Sequence, residues 1–503
     1  MVVNNLFLDR FNGPVWALEL CMNRLVKMGL AGLFAFGLAQ AKVNFPFPQM
    51  SDYGGNATLL SDKAKASEEL KSQFAYWLKT MYNEEGDVAG VRSNPGSNEY
   101  FSEGVGYGML LMVYFSDNTT SYQPQFDKIW NFYKKMMNEN GLMVWKVGNL
   151  SQKYDQGAAL DGDIDAAAAL VMAYYQFGDE KYKEDAKKLI QSMKKFEFES
   201  NGVHLPGDKW GDAGYNRKNP GYFDPAYMPI FALIDTENAD FWNKTAYDAN
   251  MKLYEIGSAE VKTGLIDDWM VKNGDSWMSD NDEFHYDAPR APWRNAKAVC
   301  WHGDQRALAI DQKMAAWVST INASSMSGPI SRSSGALGSD HNSTFVTSMM
   351  TALISDAKYQ SKLNEYWKEA VALGDENYFN QSLKLLNGLL VSGNMPNLAA
   401  ATPTQPTSSS SVTPESSSSD ATIALPTLAV GAPKMTLDGR TLRFNADGNV
   451  RVDLISMTGS VLKSFDKDAK GSVSISLNGV PSGLYVVRVK NAGLTSLKKI
   501  KLD

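Results

Sequence analysis

The sequence predicts a predominantly helical unit over residues 42–397, joined by a Ser/Thr/Pro-rich linker over 398–433 to a small antiparallel β-sandwich over 434–503. Three observations carry this. Through the first segment apolar residues recur at three- and four-residue spacing, the mark of amphipathic helices. Residues 402–420, TPTQPTSSSSVTPESSSSD, hold too little apolar surface to fold and read as linker. Beyond them apolar and polar residues alternate in short runs between turn residues. A chain of 503 residues exceeds what one core sustains, so two or more units are expected.

In chain order, the helical stretches include Lys63–Tyr82, Gln125–Asn138, Asp165–Phe177, Glu180–Phe196 and Lys362–Leu373, with Gly or Asn at their ends, as at Gly141 and Gly178. They come in pairs, and the loops between pairs are rich in Gly, Trp, Asp and Tyr. One, Gly202–Tyr227, reads GVHLPGDKWGDAGYNRKNPGYFDPAY; loops of that length in a compact domain usually carry function. In the last unit the runs Thr441–Phe444, Val450–Ile455, Val473–Leu477 and Leu484–Val489, with turns at Asp447-Gly-Asn449, Asn478-Gly479 and Asn491-Ala-Gly493, predict six or seven strands. That unit has 12 Lys and Arg against 6 Asp, although the whole chain carries −7. The two folded units therefore differ in sign, which points to separate jobs.

The N-terminus carries an export signal. Met22–Lys27 is short and basic, Met28–Leu38 is apolar, and Ala39-Gln40-Ala41 fits a cleavage site, the order of a secretory signal peptide. The apolar run is well short of the ~20 residues a membrane span needs. Residues 1–21 read as a misassigned extension and 22–41 as the signal peptide, which leaves one thiol, Cys300, of the two at 21 and 300. A disulfide framework is thereby excluded. Four His, at 204, 285, 302 and 341, offer few zinc ligands, so neither metal nor cofactor is expected. The net negative charge argues against nucleic acid. Twelve Trp and 22 Tyr exceed what a core of this size demands, and flat rings are what sugar faces stack on; core packing is their commoner use.

Three acid motifs stand out. In Tyr100-Phe-Ser-Glu-Gly-Val-Gly-Tyr-Gly-Met-Leu-Leu111, Ser102 is placed to cap a helix whose first turn holds Glu103, and the surrounding glycines leave room for a bulky ligand; the plain alternative is a carboxylate favoured by the helix dipole. In Ala159-Leu-Asp-Gly-Asp-Ile-Asp-Ala166 three acids alternate before an Ala-rich helix. A calcium loop would need Gly where Ala166 stands and Glu where Met172 stands; helix capping is the other reading. In Phe284-His-Tyr-Asp-Ala-Pro-Arg-Ala-Pro-Trp-Arg294 two prolines fix the backbone, and Arg290 can hold Asp287 ionised, or simply form a structural ion pair. Glycosidic hydrolysis needs two carboxyl groups flanking the bond. These motifs fit that need, but periodicity does not choose among them.

In order, SEGVGYGMLL, LDGDIDAAAAL, YDAPRAPWR and Asn377-Tyr-Phe-Asn-Gln-Ser-Leu383 with Val391-Ser-Gly-Asn394 resemble glycoside hydrolase family 8. The resemblance covers roughly 44–397 and opens with Phe45-Pro-Phe-Pro-Gln49. It implies an (α/α)6 barrel with an open cleft across the helix N-termini, and endo-acting hydrolysis of a β-1,4-linked polysaccharide such as cellulose, with inversion. By position, Glu103 matches the proton donor, expected to be kept protonated by partial burial and a neighbouring carboxylate. Asp161 matches the residue that binds the sugar at the cleavage point, and Asp287 the catalytic base. Arg290 and Tyr222 resemble the residues that orient the base and its water, Trp145 and Trp210 the stacking platforms, and Tyr378 and Phe379 aromatics near the sugar. Leu160 stands where Ser or Thr is usual and Ala166 where Ile or Met is usual, which puts substrate preference in doubt.

Leu454-Ile-Ser-Met-Thr-Gly459, Val480-Pro-Ser-Gly-Leu-Tyr-Val-Val-Arg-Val489 and a Lys-rich last strand resemble the sorting domain of bacterial type IX secretion. The resemblance implies a protein outside the cell or on its surface that engages secretion machinery through 434–503. A carbohydrate-binding module is the rival; the absence of Trp and the single Tyr485 weigh against it. Family 8 resemblance also spans xylanases, chitosanases and mixed-linkage glucanases, and a non-catalytic polysaccharide-binding surface protein is the reading from another class.

Overall fold

The computed structural model describes residues 43–53, 57–374, 377–401, 435–456, 461–480, 482–491 and 494–502. The expected N-terminal extension, signal peptide and nearly all of the expected linker lie outside the described residues. Among the described residues twelve helices of seven residues or more build the larger unit: α1 (Lys63–Thr80), α2 (Ser102–Phe115), α3 (Gln123–Lys135), α4 (Leu160–Phe177), α5 (Glu180–Phe196), α6 (Met228–Ile234), α7 (Tyr247–Glu260), α8 (Arg290–His302), α9 (Gln305–Val318), α10 (Ser343–Ala352), α11 (Gln360–Ala372) and α12 (Tyr378–Val391).

Burial sorts them into two rings. Every residue of α2 and of α10 is buried, as befits helices enclosed on all sides. In α5 only Tyr182, Ala186, Leu189, Ile190 and Met193 are buried, one stripe at helical spacing with Lys and Glu facing outward. The even-numbered helices form the inner ring: α2 packs on α4, α4 on α6, α8 on α10, α10 on α12, and α12 returns to α2. The turn Pro220–Tyr222 packs on both α4 and α8. This arrangement fits an (α/α)6 barrel. The segment before α1 ties the ends of the ring together: Leu60 N–H donates to the Val391 carbonyl (2.9 Å) and Ser51 N–H to that of Gly393 (2.8 Å). Packing also continues past the expected domain edge, since Leu398 is fully buried in the helical core.

The glycines of α2 serve a purpose the sequence reading did not assign. A Cβ at Gly106 would lie 2.9 Å from both the Asp165 Cβ and the Gly162 carbonyl oxygen of α4, and one at Gly104 would lie 3.1 Å from the Tyr378 ring of α12. They let neighbouring inner helices approach, rather than a ligand. Gly106→Ala is therefore expected to destabilise the unit by about 1–3 kcal/mol, read as a lower melting temperature. Ser102 does not cap α2; the cap position is Phe101 and no side-chain cap bond forms.

Among the described residues the C-terminal unit has five strands rather than six or seven: β1 (Thr436–Asp438), β2 (Thr441–Ser456), β3 (Val461–Ser476), β4 (Gly483–Asn491) and β5 (Leu494–Leu502). They form one antiparallel sheet ordered β1-β2-β4-β5, with β3 paired along β2. The apparent turn at Asp447-Gly-Asn449 lies within β2. Gly448 (φ +82°) faces Ala469 and Gly471 (φ +81°) faces Ala446, so the glycines bend a continuous hairpin instead of ending its strands. Leu442, Phe444, Ala446, Val450, Val452 and Leu454 keep one parity across the bend and share one buried core with Val487, Val489 and Ile500, which makes the sheet sandwich-like. Among the described residues no helix is long and apolar enough to cross a membrane.

Candidate active site

Glu103, Asp161, Arg290 and Tyr378 each lie in the first turn of an inner helix, α2, α4, α8 and α12 in turn. Ring closure brings these four starts to one end of the barrel. Arg290 is the hub: its Nε donates to Glu103 Oε1, its Nη2 lies 3.4 Å from Asp161 Oδ2, and its Nη1 lies 3.5 Å from Asp287 Oδ1. The guanidinium is held between two rings, Tyr222 at 5.3 Å and Phe379 at 5.2 Å, and Nη1 also donates to the Asp287 carbonyl (2.9 Å). A Cβ at Gly221 would lie 2.9 Å from that same carbonyl oxygen, so glycine beside Tyr222 is what lets the Asp287 loop seat there.

The three carboxyl groups differ sharply in surroundings. The Glu103 and Asp161 side chains are 6% and 5% exposed, that of Asp287 42%. Glu103 accepts from the Tyr107 hydroxyl (2.9 Å) and the Tyr378 hydroxyl (2.6 Å) in addition to Arg290. Burial, and next the charge of Glu103, push the Asp161 carboxyl up to about 7, so this crowded acid corner retains a proton near neutrality. Asp287 instead faces a depression of about 430 Å³ lined by Phe101, Glu103, Arg290, Tyr378 and Phe379 among others.

Two chains of rings lead from this centre to exposed Trp side chains. Trp145 (39% exposed) stacks on Phe101 at 5.9 Å, and Phe101 leans on Tyr378 at 5.7 Å. In the second chain Trp210 (39% exposed) lies 5.7 Å from Trp269, whose indole N–H donates to Asp287 Oδ2 (2.8 Å). All nine residues singled out from the sequence thus belong to one constellation. Trp269, Asp268, Phe101 and Tyr107 were missed. Tyr107 had a signal, since it sits one helical turn from Glu103; the Asp268-Trp269 pair lies in a loop without periodicity.

The other acids of the LDGDID motif point elsewhere, and none of them caps the helix, whose cap position is Ala159. Asp165 makes a two-pronged pair with Arg294 (3.0 and 2.7 Å), one turn below Asp161 and Arg290, and Asp224 joins Arg294 to Lys297. Bidentate pairing of this kind fixes orientation, here of α4 against α8. Asp163 accepts from the Tyr133 hydroxyl, and burial pushes it up to about 7. Burial and the charge of Asp163 likewise raise Glu197 well above the usual carboxylate range. Leu160 and Ala166 are fully buried in the core, so these departures change the packing behind Asp161 rather than the cleft surface. No cluster of His, Cys, Asp and Glu suited to a metal occurs among the described residues.

Residues 48–393 match the glycosyl hydrolases family 8. The chain belongs to that family. As a family 8 glycoside hydrolase it is 31% identical to Endoglucanase 2 of Ruminiclostridium josui over 374 residues, 72% of this chain and 78% of the relative. It is 29% identical to Endoglucanase C of Ruminiclostridium cellulolyticum, over 75% of this chain and 84% of the relative. Its fold matches that of a β-1,3-1,4-glucanase from Paenibacillus sp. X4 with a TM-score of 0.66 at 23% identity, covering 70% of this chain and 99% of the other. Residues 438–502 match a secretion-system C-terminal sorting domain. The enzyme is therefore exported, and works outside the cell or attached to its surface.

Proposed function

We propose that this hydrolase cuts β-1,4-linked glucan chains internally and with inversion, Glu103 donating the proton, Asp287 activating water and Asp161 holding the sugar at the cleavage point. The observation that carries the reading is the single guanidinium of Arg290 shared by three carboxylates of unequal exposure, with two exposed Trp rings reached from it through Phe101 and Trp269. The two reacting acids sit on different nitrogens of that guanidinium, so the side chain lies between them. Inversion needs ~6.5–9.5 Å between the two carboxyl groups, room for a water molecule, against ~5–5.5 Å for direct attack.

Asp161 and Glu103 share the buried corner, and a sugar hydroxyl donating to Asp161 favours the Asp161 carboxylate, leaving the proton for Glu103 to deliver to the leaving oxygen. Asp287, open to the cleft and gripped by Trp269 and Arg290, takes the proton of the attacking water. The Tyr222 ring under Arg290 helps to hold the guanidinium, and Trp145 and Trp210 supply flat faces for sugars on either side of the cut. Proposed with this are a signal peptide over 22–41 and a Ser/Thr/Pro linker after residue 401, with no cofactor.

Reducing-sugar release on soluble cellulose derivatives, mixed-linkage β-glucan, xylan and chitosan tests the substrate. The highest kcat/KM is expected on the β-glucans; a strong preference for xylan or chitosan overturns the glucan assignment, and no release on any substrate favours a binding protein. A pH prediction follows from Asp161. Its carboxyl is raised to about 7, so the acid corner holds its proton below that value and loses it above. The kcat/KM profile is expected to fall on the alkaline side through about pH 7; a flat profile to pH 9 contradicts the shared-proton account.

A further inference from the structure

The Asp287 side chain is 42% exposed, yet a two-residue stretch 18 residues earlier holds it and its loop by three hydrogen bonds. Asp268 Oδ1 accepts from the His285 N–H (3.0 Å) and the Ala288 N–H (2.6 Å), backbone groups on either side of Asp287. The next residue, Trp269, donates its indole N–H to Asp287 Oδ2 (2.8 Å). The ring is itself fixed: Tyr222 meets it edge-on at 6.0 Å, Trp210 lies 5.7 Å away, and the Arg217 guanidinium covers it at 4.6 Å. Arg217 is tethered to Asp280 (2.7 Å), whose backbone N–H donates to the Trp269 carbonyl (2.9 Å).

We propose that Trp269 is a positioning residue for Asp287, selecting which of its two oxygens faces the attacking water, and that Asp268 holds the Asp287 loop in register with that indole. The inference rests on the reading of Asp287 as the base. A carboxylate with 42% exposure has little packing to stop rotation about Cβ–Cγ. Binding Oδ2 to the indole leaves Oδ1 on the Arg290 side, turned toward the acid corner that holds Glu103. Outer partners that orient a reacting group are typically worth about 10–100-fold in activity. Asp268 is 6% exposed, and burial followed by the charge of Asp287 pushes it up to about 7, consistent with a carboxyl group placed for its two backbone bonds and not for solvent.

The test is Trp269→Phe in the full-length enzyme, which keeps a ring between Trp210 and Tyr222 but removes the N–H. Expected are a kcat lower by about 10–100-fold, KM within about twofold because the platform remains, and a shift of the acid limb of kcat/KM to higher pH. The limb moves that way because a carboxylate that loses a donor protonates more readily; Arg290, Asp268 and Tyr222, the other charged or titratable groups facing Asp287, stay in place. A 2,4-dinitrophenyl β-cellooligoside, whose leaving group needs no acid, is expected to leave the Trp269→Phe defect unrelieved. Asp268→Ala is expected to lower kcat similarly and Asp268→Asn, which keeps an accepting oxygen, to restore it to within a few-fold. Wild-type kcat and acid limb in Trp269→Phe, a rise in KM alone, relief by the activated substrate, or wild-type kcat in Asp268→Ala overturns the proposal. If Asp287→Asn is inactive in the same assays, that failure is confined to Trp269 and Asp268; if Asp287→Asn is active, the base assignment itself fails.

Discussion

Replacing Glu103 by Gln is expected to lower kcat on cellooligosaccharides by on the order of 10³–10⁴-fold, the upper range for loss of a general acid, while substrate affinity measured calorimetrically stays within a few-fold. The amide is nearly isosteric, keeps one oxygen for the Tyr107 and Arg290 donors, and offers an N–H that the Tyr378 hydroxyl oxygen can accept, so the inner ring is expected to remain intact. Most of the loss should disappear on a 2,4-dinitrophenyl β-cellooligoside, where bond breaking needs no proton. Equal losses on both substrates would point to a collapsed site instead of a missing acid, and normal turnover of natural substrate would remove Glu103 from the role.

Asp287→Asn is expected to reduce turnover by about 10³-fold or more on natural and activated substrates alike, since an amide cannot accept the proton of water. The stereochemistry tests the same residue independently. NMR of the wild-type reaction in its first minutes should show the α-anomer leaving a β-linked chain, before mutarotation mixes the two forms. Initial release of the β-anomer would mean direct attack by a carboxylate and a covalent intermediate, and would reject Asp287 as a base acting through water.

Much of this was legible in the sequence. The outer helices announce themselves by one apolar stripe each, as in α5, where Lys and Glu occupy most of the positions that Tyr182, Ala186, Leu189, Ile190 and Met193 leave. Inner helices such as α2 are buried on all faces and lose that contrast, so their acids were found through motif resemblance and not through periodicity. The glycines of α2 misled because a small residue reads the same whether it admits a ligand or a helix; only the partner backbone at Gly162 distinguishes the two. In β2 a turn-like Asp-Gly-Asn sits inside a bent strand, and the unbroken parity of Leu442 to Leu454 was the better guide. Trp269 reaches Asp287 across 18 residues of loop and hairpin, a link that no short-range pattern encodes.

The ring has a consequence for when, and not only where, the enzyme works. The groups proposed to react come from residues 103, 161 and 287, Tyr378 donates to the first of them, and the last inner helix docks directly beside the first. A chain threaded or synthesised only as far as α10 lacks the Tyr378 hydroxyl on Glu103 and the Phe379 face on Arg290, so neither acid nor hub is set. The proposed acid and its hub are thus complete only with α12 packed against α2. A chain cut before Tyr378 is therefore expected to show no hydrolysis of glucan even where its first ten helices are retained, because the contacts that set Glu103 and Arg290 come from the last of the inner ring.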